Sequence, residues 1–440
     1  MLQVLANRTY RHLFLAQVIA LVGTGLATVA LGLLAYDLAG ANAGAVLGTA
    51  LAIKMIAYVG VAPVAAAFAE RLPRRTMLVS LDLIRAAVAV ALPFVTQIWE
   101  IYVLIFLLQS ASAAFTPTFQ ATIPDVLPDE KEYTRALSLS RLAYDLESVV
   151  SPMLAAALLT IISFHTLFAG TVVGFLASAA LVVSVVLPSP KATERRGIYD
   201  RTTRGMRIYL ATPRLRGLLA LNLAVAAASA MVIVNTVVLV QAEFGLTQRA
   251  TALALAAFGG GSMIAALLLP RLLDDINDRT AMLTGAGVLI AGLFVGTLIA
   301  NFWLLLPLWF TLGLGYSLAQ TPSGRLLRRS SQPEDRPALF AAQFALSHAC
   351  WLMTYPVAGW LGAKAGLPFT FATLGLIAAV AVFVAMRLWP AHDPDAIEHA
   401  HDALDANHSH LAGAVNVDNG HMHTHAYVID SHHPEWPRSA

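Results

Sequence analysis

Long apolar runs alternate with short polar segments along most of this chain, and the alternation predicts its architecture. A helix needs about 20 mostly apolar residues to cross the hydrocarbon core of a bilayer. Twelve runs meet this requirement, near residues 11–38, 43–68, 77–95, 98–116, 133–161, 164–187, 217–242, 248–270, 281–300, 303–321, 337–362 and 367–389. The pattern therefore predicts an all-α integral membrane protein with twelve transmembrane helices.

Lysine and arginine are concentrated on one side of the predicted membrane. The loops of that side hold 22 of them, eight in the middle loop over residues 188–216, whereas the opposite loops hold only Arg249 and Lys364. Because basic loops stay in the cytoplasm, this side is expected to be cytoplasmic, together with both termini. The first apolar run exceeds the core of a signal peptide, so we expect a retained span in a bacterial-type inner membrane.

The composition supports a membrane protein and shows that the last 50 residues differ from the rest of the chain. Hydrophobic residues make up 58% of the chain and charged residues 12%, whereas soluble domains carry about 25% charged residues. The single cysteine excludes a disulfide framework. Residues 391–440 hold eight acids and one arginine, so the remainder is strongly basic. We predict a six-helix bundle over 1–187, a linker over 188–216, a second bundle over 217–390 and a disordered histidine-rich cytoplasmic tail over 391–440.

An internal repeat relates the two predicted bundles. The segment RRTML at 74–78 aligns with DRTAML at 278–283, and Thr116-Pro117 aligns with Thr321-Pro322 at a shift near 205 residues. Parallel repeats of this kind are typical of transporters whose halves rock about a site near the bilayer midplane. The repeat therefore favours a transporter built from two six-helix halves.

The loop after the second predicted helix resembles a family signature. Residues 66–75 read AAFAERLPRR, which is similar to the G-x-x-x-D-R-x-G-R-R loop of the major facilitator superfamily, with Ala66 and Pro73 in place of glycines. A degenerate copy, PRLLDDINDRT, stands where the repeat requires it. The resemblance covers residues 1–390 and implies the two-bundle fold and a cytoplasmic gate. Its gate residues would be Glu70, Arg71, Arg74 and Arg75. Asp82 and Arg85 lie one to two turns from the predicted cytoplasmic end, so we expect them to brace the gate.

Ionisable residues inside the predicted helices are candidates for the transport cavity, since a charge in the membrane is costly. Arg141 and Asp145 share a helix face and can pair, either as a structural ion pair or in a proton- or cation-linked role. Glu147 points away from Asp145 on the same helix. His348 and Cys350 fall at related positions of the repeat, where the histidine is either a packing residue or part of the cavity.

The same helix resembles the antiporter signature of export-type members of the superfamily. The stretch ESVVSPMLAAA at 147–157 keeps the signature proline at Pro152, but Glu147, Ser151, Ala155 and Ala156 replace its glycines. The sequence lacks a phosphate-binding loop, a nucleophile elbow and a zinc-protease motif. We therefore expect a secondary transporter rather than an enzyme, with no resident cofactor and no nucleic-acid partner.

Histidine pairs punctuate the tail at a spacing of two residues. Alternate side chains of an extended chain share a face, so two such imidazoles can bind one cation. Imidazole and carboxylate ligands suit Ni²⁺, Co²⁺, Zn²⁺ or Cu²⁺. The candidate metal ligands are His399, His401, His408, His410, His421, His423, His425, His432 and His433.

The whole chain is similar to the nickel-resistance permeases of the superfamily, which combine twelve spans with a histidine-rich cytoplasmic end. That resemblance points to Ni²⁺ ahead of Co²⁺, and we expect a monomeric, proton-coupled exporter of a divalent metal ion in membrane lipid. Two alternatives stay open. One is an exporter of an organic drug or siderophore with an incidental tail, and the other is a membrane-tethered metal buffer or sensor.

Overall fold

The structure, a computed structural model, describes residues 2–39, 43–69, 72–188, 197–394, 396–401, 415–417, 420–430, 432–433 and 435–437. Within these residues the chain forms fourteen α-helices. The first six are α1 (Arg8–Ala39), α2 (Ala43–Ala69), α3 (Arg74–Ala91), α4 (Ile98–Val126), α5 (Glu130–Leu158) and α6 (Phe164–Val183). The others are α7 (Ile198–Ala211), α8 (Pro213–Val237), α9 (Gln248–Asp275), α10 (Asp278–Gly296), α11 (Phe302–Gln320), α12 (Ser323–Arg329), α13 (Arg336–Ala365) and α14 (Leu367–Leu388).

Twelve of these helices are long and two, α7 and α12, are short, among the residues that the structure describes. Ten helical segments are long and apolar enough to span a membrane, which confirms the predicted multi-pass helical protein. The helices α5 and α13 fall outside that set. Charged side chains within α5, among them Arg141, Asp145 and Glu147, reduce its hydropathy.

The helices form two halves with equivalent internal packing. The first half, α1–α6, packs α1 against α6 and α2 against α4, while the second half, α8–α14, packs α8 against α14 and α9 against α11. Phe168 and Phe175 lie in the core of the first half, and Trp309 and Phe371 in the core of the second. The halves meet where α13 contacts α2 and where α5 contacts α9.

The linker between the halves contains the amphipathic helix α7. It contacts α2, α8 and α13, and a Cβ atom at its Gly205 would lie 2.0 Å from the carbonyl oxygen of Ala338. The hydroxyl of Tyr209 donates a hydrogen bond to Gln343 Oε1 at 2.6 Å. The linker is therefore packed against both halves at one end of the molecule.

The tail differs from the disordered segment that its composition predicted. Its described residues form a three-stranded antiparallel sheet in the order β1-β3-β2, from β1 (Ala396–His401), β2 (Val415–Val417) and β3 (Gly420–Ala426). Buried side chains follow, with Tyr427 and Ile429 joining the core of the second half. The prediction of disorder is wrong for these residues, because a few apolar side chains anchor a segment that composition marks as solvated.

Candidate functional site

A cavity of about 380 Å³ lies between the two halves. The first half contributes residues of α1, α2, α4 and α5, and the second contributes residues of α11, α12 and α13. Its polar and aromatic lining includes Gln17, Tyr58, Gln120, Ser140, Arg141, Tyr144, Tyr316, Gln320, Gln343, Ser347, His348 and Trp351. Helices that pack across the contact between the halves thus enclose a site between them.

Aromatic rings and amides dominate this cavity, and none of its described lining residues carries a carboxylate. The Tyr58 hydroxyl donates to Gln109 Oε1 at 2.9 Å, and the Tyr58 ring lies edge-on to the His348 ring with centroids 4.7 Å apart. His348 Nδ1 faces the carbonyl oxygen of Phe344 at 2.7 Å, which leaves its Nε2 with a lone pair. The sequence analysis selected His348 but missed the tyrosines and glutamines. These residues could have been recognised in the sequence as aromatic or amide side chains within otherwise aliphatic membrane spans.

Arg141 and Asp145 form the ion pair that their spacing predicted. Arg141 Nε lies 3.1 Å from Asp145 Oδ2 and 3.2 Å from Ser262 Oγ of α9. The guanidinium also stacks 4.6 Å from the centroid of the Tyr316 ring. Arg141 therefore lines the cavity and contacts both halves, whereas Asp145 is buried behind it.

Glu147 and Cys350 lie beside the cavity rather than among its lining residues. Glu147 approaches the backbone of α1, since a Cβ atom on Gly25 would lie 2.7 Å from its Oε1. Lys54 of α2 is close enough to act electrostatically on both Glu147 and His348. Its ammonium lies 5.5 Å from the centroid of the Tyr58 ring. These groups connect α2, α5 and α13 next to the cavity, and Cys350 is buried in α13.

Ion pairs between the halves close one end of the cavity. That end, called the basic face here, carries Arg74, Arg204, Arg214, Arg325, Arg328 and Arg336. Asp125 of α4 pairs with Arg74 of its own half and with Arg336 of the other half. Arg325 pairs with Glu130, again across the halves. Asp125 was not selected from the sequence, because its partner Arg336 lies 211 residues away along the chain.

The other predicted gate residues have different locations. Asp82 and Arg85 pair inside the first half, where the Ser178 hydroxyl donates to Asp82 at 2.7 Å and Arg85 lies 3.9 Å from the Phe115 ring centroid. They therefore brace the first half and do not bridge the halves, because α3 turns their face toward α4 and α6. Arg75 is half-buried at the start of α3. Glu70 and Arg71 lie outside the described residues.

The tail brings four of its histidines together. Each of these four offers a ring nitrogen, and the four nitrogens lie within 4.8 Å of one another; we call His399, His423, His425 and His433 the four-histidine cluster. The backbone of His401 pairs with that of His421 across β1 and β3, and His421 is not a member of the cluster. His432 donates its backbone N–H to Asp430 at 2.9 Å. His408 and His410 lie outside the described residues.

Hydrogen bonds and burial perturb the groups of this cluster. Burial, together with the neighbouring imidazoles, lowers the pKa of His399 despite a hydrogen bond from its ring to the Ile397 carbonyl. Burial acts to raise the pKa of Asp430, but hydrogen bonds from the His433 ring and from two backbone N–H groups outweigh it and lower that pKa to about 2. At neutral pH the cluster therefore has a neutral imidazole at His399 and a carboxylate behind His433.

Comparison with known proteins places the chain in a transporter family. The profile of the Major Facilitator Superfamily matches residues 13–237 and 218–409. The uncharacterized MFS-type transporter YfiS of Bacillus subtilis is 25% identical over 120 residues, 27% of this chain and 28% of that protein. Macrolide efflux protein A of Enterococcus faecalis is 24% identical over 152 residues, 32% of this chain and 47% of that protein. The matches span less than half of either relative.

Solved structures share the fold over almost their whole length. The human organic anion transporter MFSD10 (TETRAN) superposes with a TM-score of 0.74 at 12% identity, covering 86% of this chain and 99% of that chain. A bacterial homologue of the iron transporter ferroportin in its outward-facing state gives a TM-score of 0.72 at 14% identity, with 86% and 99% covered. At these identities the likeness concerns the fold alone.

Proposed function

Because the chain belongs to the Major Facilitator Superfamily, we propose that it is a secondary active exporter of a divalent transition-metal ion, Ni²⁺ first and Co²⁺ next, driven by proton antiport. The observation that carries the metal assignment is the concentration of ten histidines in residues 391–440, of which the four-histidine cluster uses four, in a tail whose described residues pack on the basic face. Imidazoles without thiolates suit borderline divalent metals. Export is supported by two features, the macrolide efflux relatives and the antiporter-like stretch at 147–157.

In this proposal the basic face is cytoplasmic, as the distribution of lysine and arginine predicts. The ion pairs of Asp125 and Arg325 then close the cavity toward the cytoplasm. A carrier closed on that side releases its cargo to the outside, so the conformation corresponds to the release step of export. Rocking of the halves, with these ion pairs broken, would open the cavity toward the tail.

Proton coupling is assigned to groups beside the cavity. Metal binding requires deprotonated ligands, so a proton that arrives from outside can displace the ion. His348 has an Nε2 lone pair in the cavity, and Glu147 lies near Lys54 next to it. Asp145 is less suited to bind cargo, because Arg141 already neutralises it.

The lining of the cavity favours a second candidate function, export of an amphipathic organic compound. The cavity has aromatic rings and amides, and no carboxylate among its described lining residues. Such a surface suits an organic solute, because apolar walls with a few placed polar groups are typical of small-molecule sites. In that case the tail would bind metal for another purpose.

Growth of a metal-sensitive bacterial host tests the proposal. We expect the chain to raise tolerance to Ni²⁺ and Co²⁺ salts, with lower cellular metal in elemental analysis. His348→Ala should reduce this tolerance, whereas His165→Ala, at the exposed start of α6, should leave it unchanged. Tolerance to macrolides or other amphipathic drugs without tolerance to any metal would establish the organic candidate. Metal bound to the cells without a fall in the cytosolic pool would indicate a buffer.

A further inference from the structure

Hydrogen bonds fix the roles of the ring nitrogens in three members of the four-histidine cluster, His399, His425 and His433. His399 Nδ1 faces the carbonyl oxygen of Ile397 at 3.0 Å. A carbonyl oxygen only accepts, so this Nδ1 carries the hydrogen and Nε2 has the lone pair. His425 Nδ1 likewise faces the carbonyl oxygen of Ala426 at 2.9 Å. Backbone carbonyls of β1 and β3 thus select the tautomer in which Nε2 carries the lone pair.

A carboxylate selects the same tautomer at His433. Its Nδ1 lies 2.9 Å from Asp430 Oδ1, and the backbone N–H groups of His432 and His433 donate to the same oxygen at 2.9 Å. A carboxylate behind a ligating imidazole fixes the ring and raises its basicity, an arrangement common around bound zinc. The Nε2 lone pair of His433 therefore faces the cluster.

These lone pairs converge at short range. His399 Nε2 lies 3.0 Å from His433 Nε2 and 3.1 Å from His423 Nε2. The lone pairs of His399 and His433 repel each other at that distance, and a cation between them turns the repulsion into coordination. Metal–nitrogen bonds of about 2.0–2.1 Å in a tetrahedron separate the nitrogens by about 3.4 Å. Small ring movements would therefore complete a four-imidazole shell.

The cluster is fastened to the second half of the protein. The Tyr427 ring packs against the His399 and His433 rings, with centroids 4.9 and 4.6 Å away. Arg214 at the start of α8 donates to the Tyr427 carbonyl oxygen at 3.4 Å, and its guanidinium lies 4.9 Å from the Trp436 ring centroid. An ion in the cluster would thus join β1, β3 and His433 into one unit on the basic face.

We infer that the four-histidine cluster is a closed site for one resident divalent transition-metal ion, which holds the folded tail on the second half and is distinct from the transported substrate. Four ligands fill a tetrahedral shell and leave no position open for exchange, as in structural zinc sites. The inference does not depend on which substrate crosses the membrane.

Metal titration of the full-length protein in detergent tests the site. After chelator treatment, we expect one tight equivalent of Co²⁺ per chain, with the intense visible absorption of tetrahedral cobalt and displacement by Zn²⁺. His399→Gln and His433→Gln should each abolish that absorption and the tight equivalent. His421→Gln on β3 and His392→Gln, an exposed residue before β1, are described residues that do not belong to the cluster and should retain both.

A milder variant controls for misfolding of the tail. Asp430→Asn keeps the shape of the side chain and should weaken binding about 10- to 100-fold without loss of the tetrahedral spectrum. Equal loss of the tight equivalent in all four histidine variants, or octahedral Co²⁺ in the wild-type protein, would overturn the inference. Binding as expected without metal flux in vesicles would instead refute the proposed cargo and leave the resident site in place.

Discussion

Asp145 and Arg141 form a buried ion pair next to the cavity. The pair has two candidate roles, a structural one and one in transport. The side chain of Asp145 is 4% exposed and that of Arg141 is 17% exposed. Their spacing of four residues on a helix predicted the pair. The contacts of Arg141 with Ser262 and Tyr316 were not predictable, because they join residues far apart in the chain. The geometry indicates that Asp145 chiefly neutralises Arg141.

Asp145→Asn should therefore destabilise the protein rather than only change its transport. Removing one partner of a buried ion pair costs about 3–5 kcal/mol, because a charge is left uncompensated. We expect a lower thermal unfolding midpoint and a lower monodisperse yield in detergent. The double variant Arg141→Leu, Asp145→Leu should recover most of the midpoint. A single variant as stable as the wild type would contradict this, and a stable but inactive double variant would assign the pair to transport.

Close packing between α9 and α11 depends on Gly261, the last of three consecutive glycines. A Cβ atom at Gly261 would lie 1.9 Å from the Phe310 carbonyl oxygen, whereas nothing lies within 4 Å of a Cβ atom at Gly260. Small residues let membrane helices approach this closely. Gly261→Ala should thus destabilise the second half by about 1–3 kcal/mol. Gly260→Ala is the matched control, and equal unfolding midpoints for the two variants would refute the assigned contact.

Asp125 connects helices of both halves at the basic face. An exposed ion pair between the same halves, Lys131–Asp274, provides a control. Asp125 is 7% exposed and pairs with Arg74 and Arg336. The Lys131–Asp274 pair also crosses the halves, but its side chains are 72% and 50% exposed. Exposed pairs contribute about 0–1 kcal/mol, so only the buried bridge should hold the gate closed.

Asp125→Asn should shift the population toward opening at the basic face. We expect faster maleimide labelling of Ala136→Cys, a residue of the cavity lining, in a Cys350→Ala background and with reagent on the basic side. Asp274→Asn should label at the rate of the parent protein. If Asp125→Asn also keeps the parent rate, the bridge is not the gate.

Truncation of the tail is expected to lower the stability of the second half. Arg214 is 2% exposed at the side chain and pairs with Asp393. Truncation after Pro390 removes this carboxylate, whereas truncation after Pro394 retains it. Both products should remain folded in the membrane, with a lower unfolding midpoint for the shorter one, because a buried guanidinium loses a counter-charge. Identical midpoints would show that Asp393 does not stabilise this end of α8.

At the scale of the whole molecule, hydropathy and the repeat were sufficient to predict the fold. They were not sufficient to predict the ion pairs of the gate, the lining of the cavity or the structure of the tail. A membrane span needs about 20 apolar residues, so the twelve predicted spans can be recognised from the sequence alone. The Asp125–Arg336 bridge depends on how the two halves meet, and no local pattern encodes that. The prediction of a disordered tail failed for a different reason. Its anchor is Tyr427 to Ile429, a short apolar segment within a polar composition.

Flux in proteoliposomes tests the central claim most directly. The purified chain is reconstituted into liposomes with an acidic interior, and Ni²⁺ entry is followed by an enclosed metal-sensitive dye. Antiport predicts saturable Ni²⁺ accumulation as protons leave, lost when an ionophore collapses the pH gradient and slowed in His348→Ala but not in His165→Ala. Ni²⁺ entry no faster than in empty liposomes, with an amphipathic organic compound accumulating under the same gradient, would contradict the account.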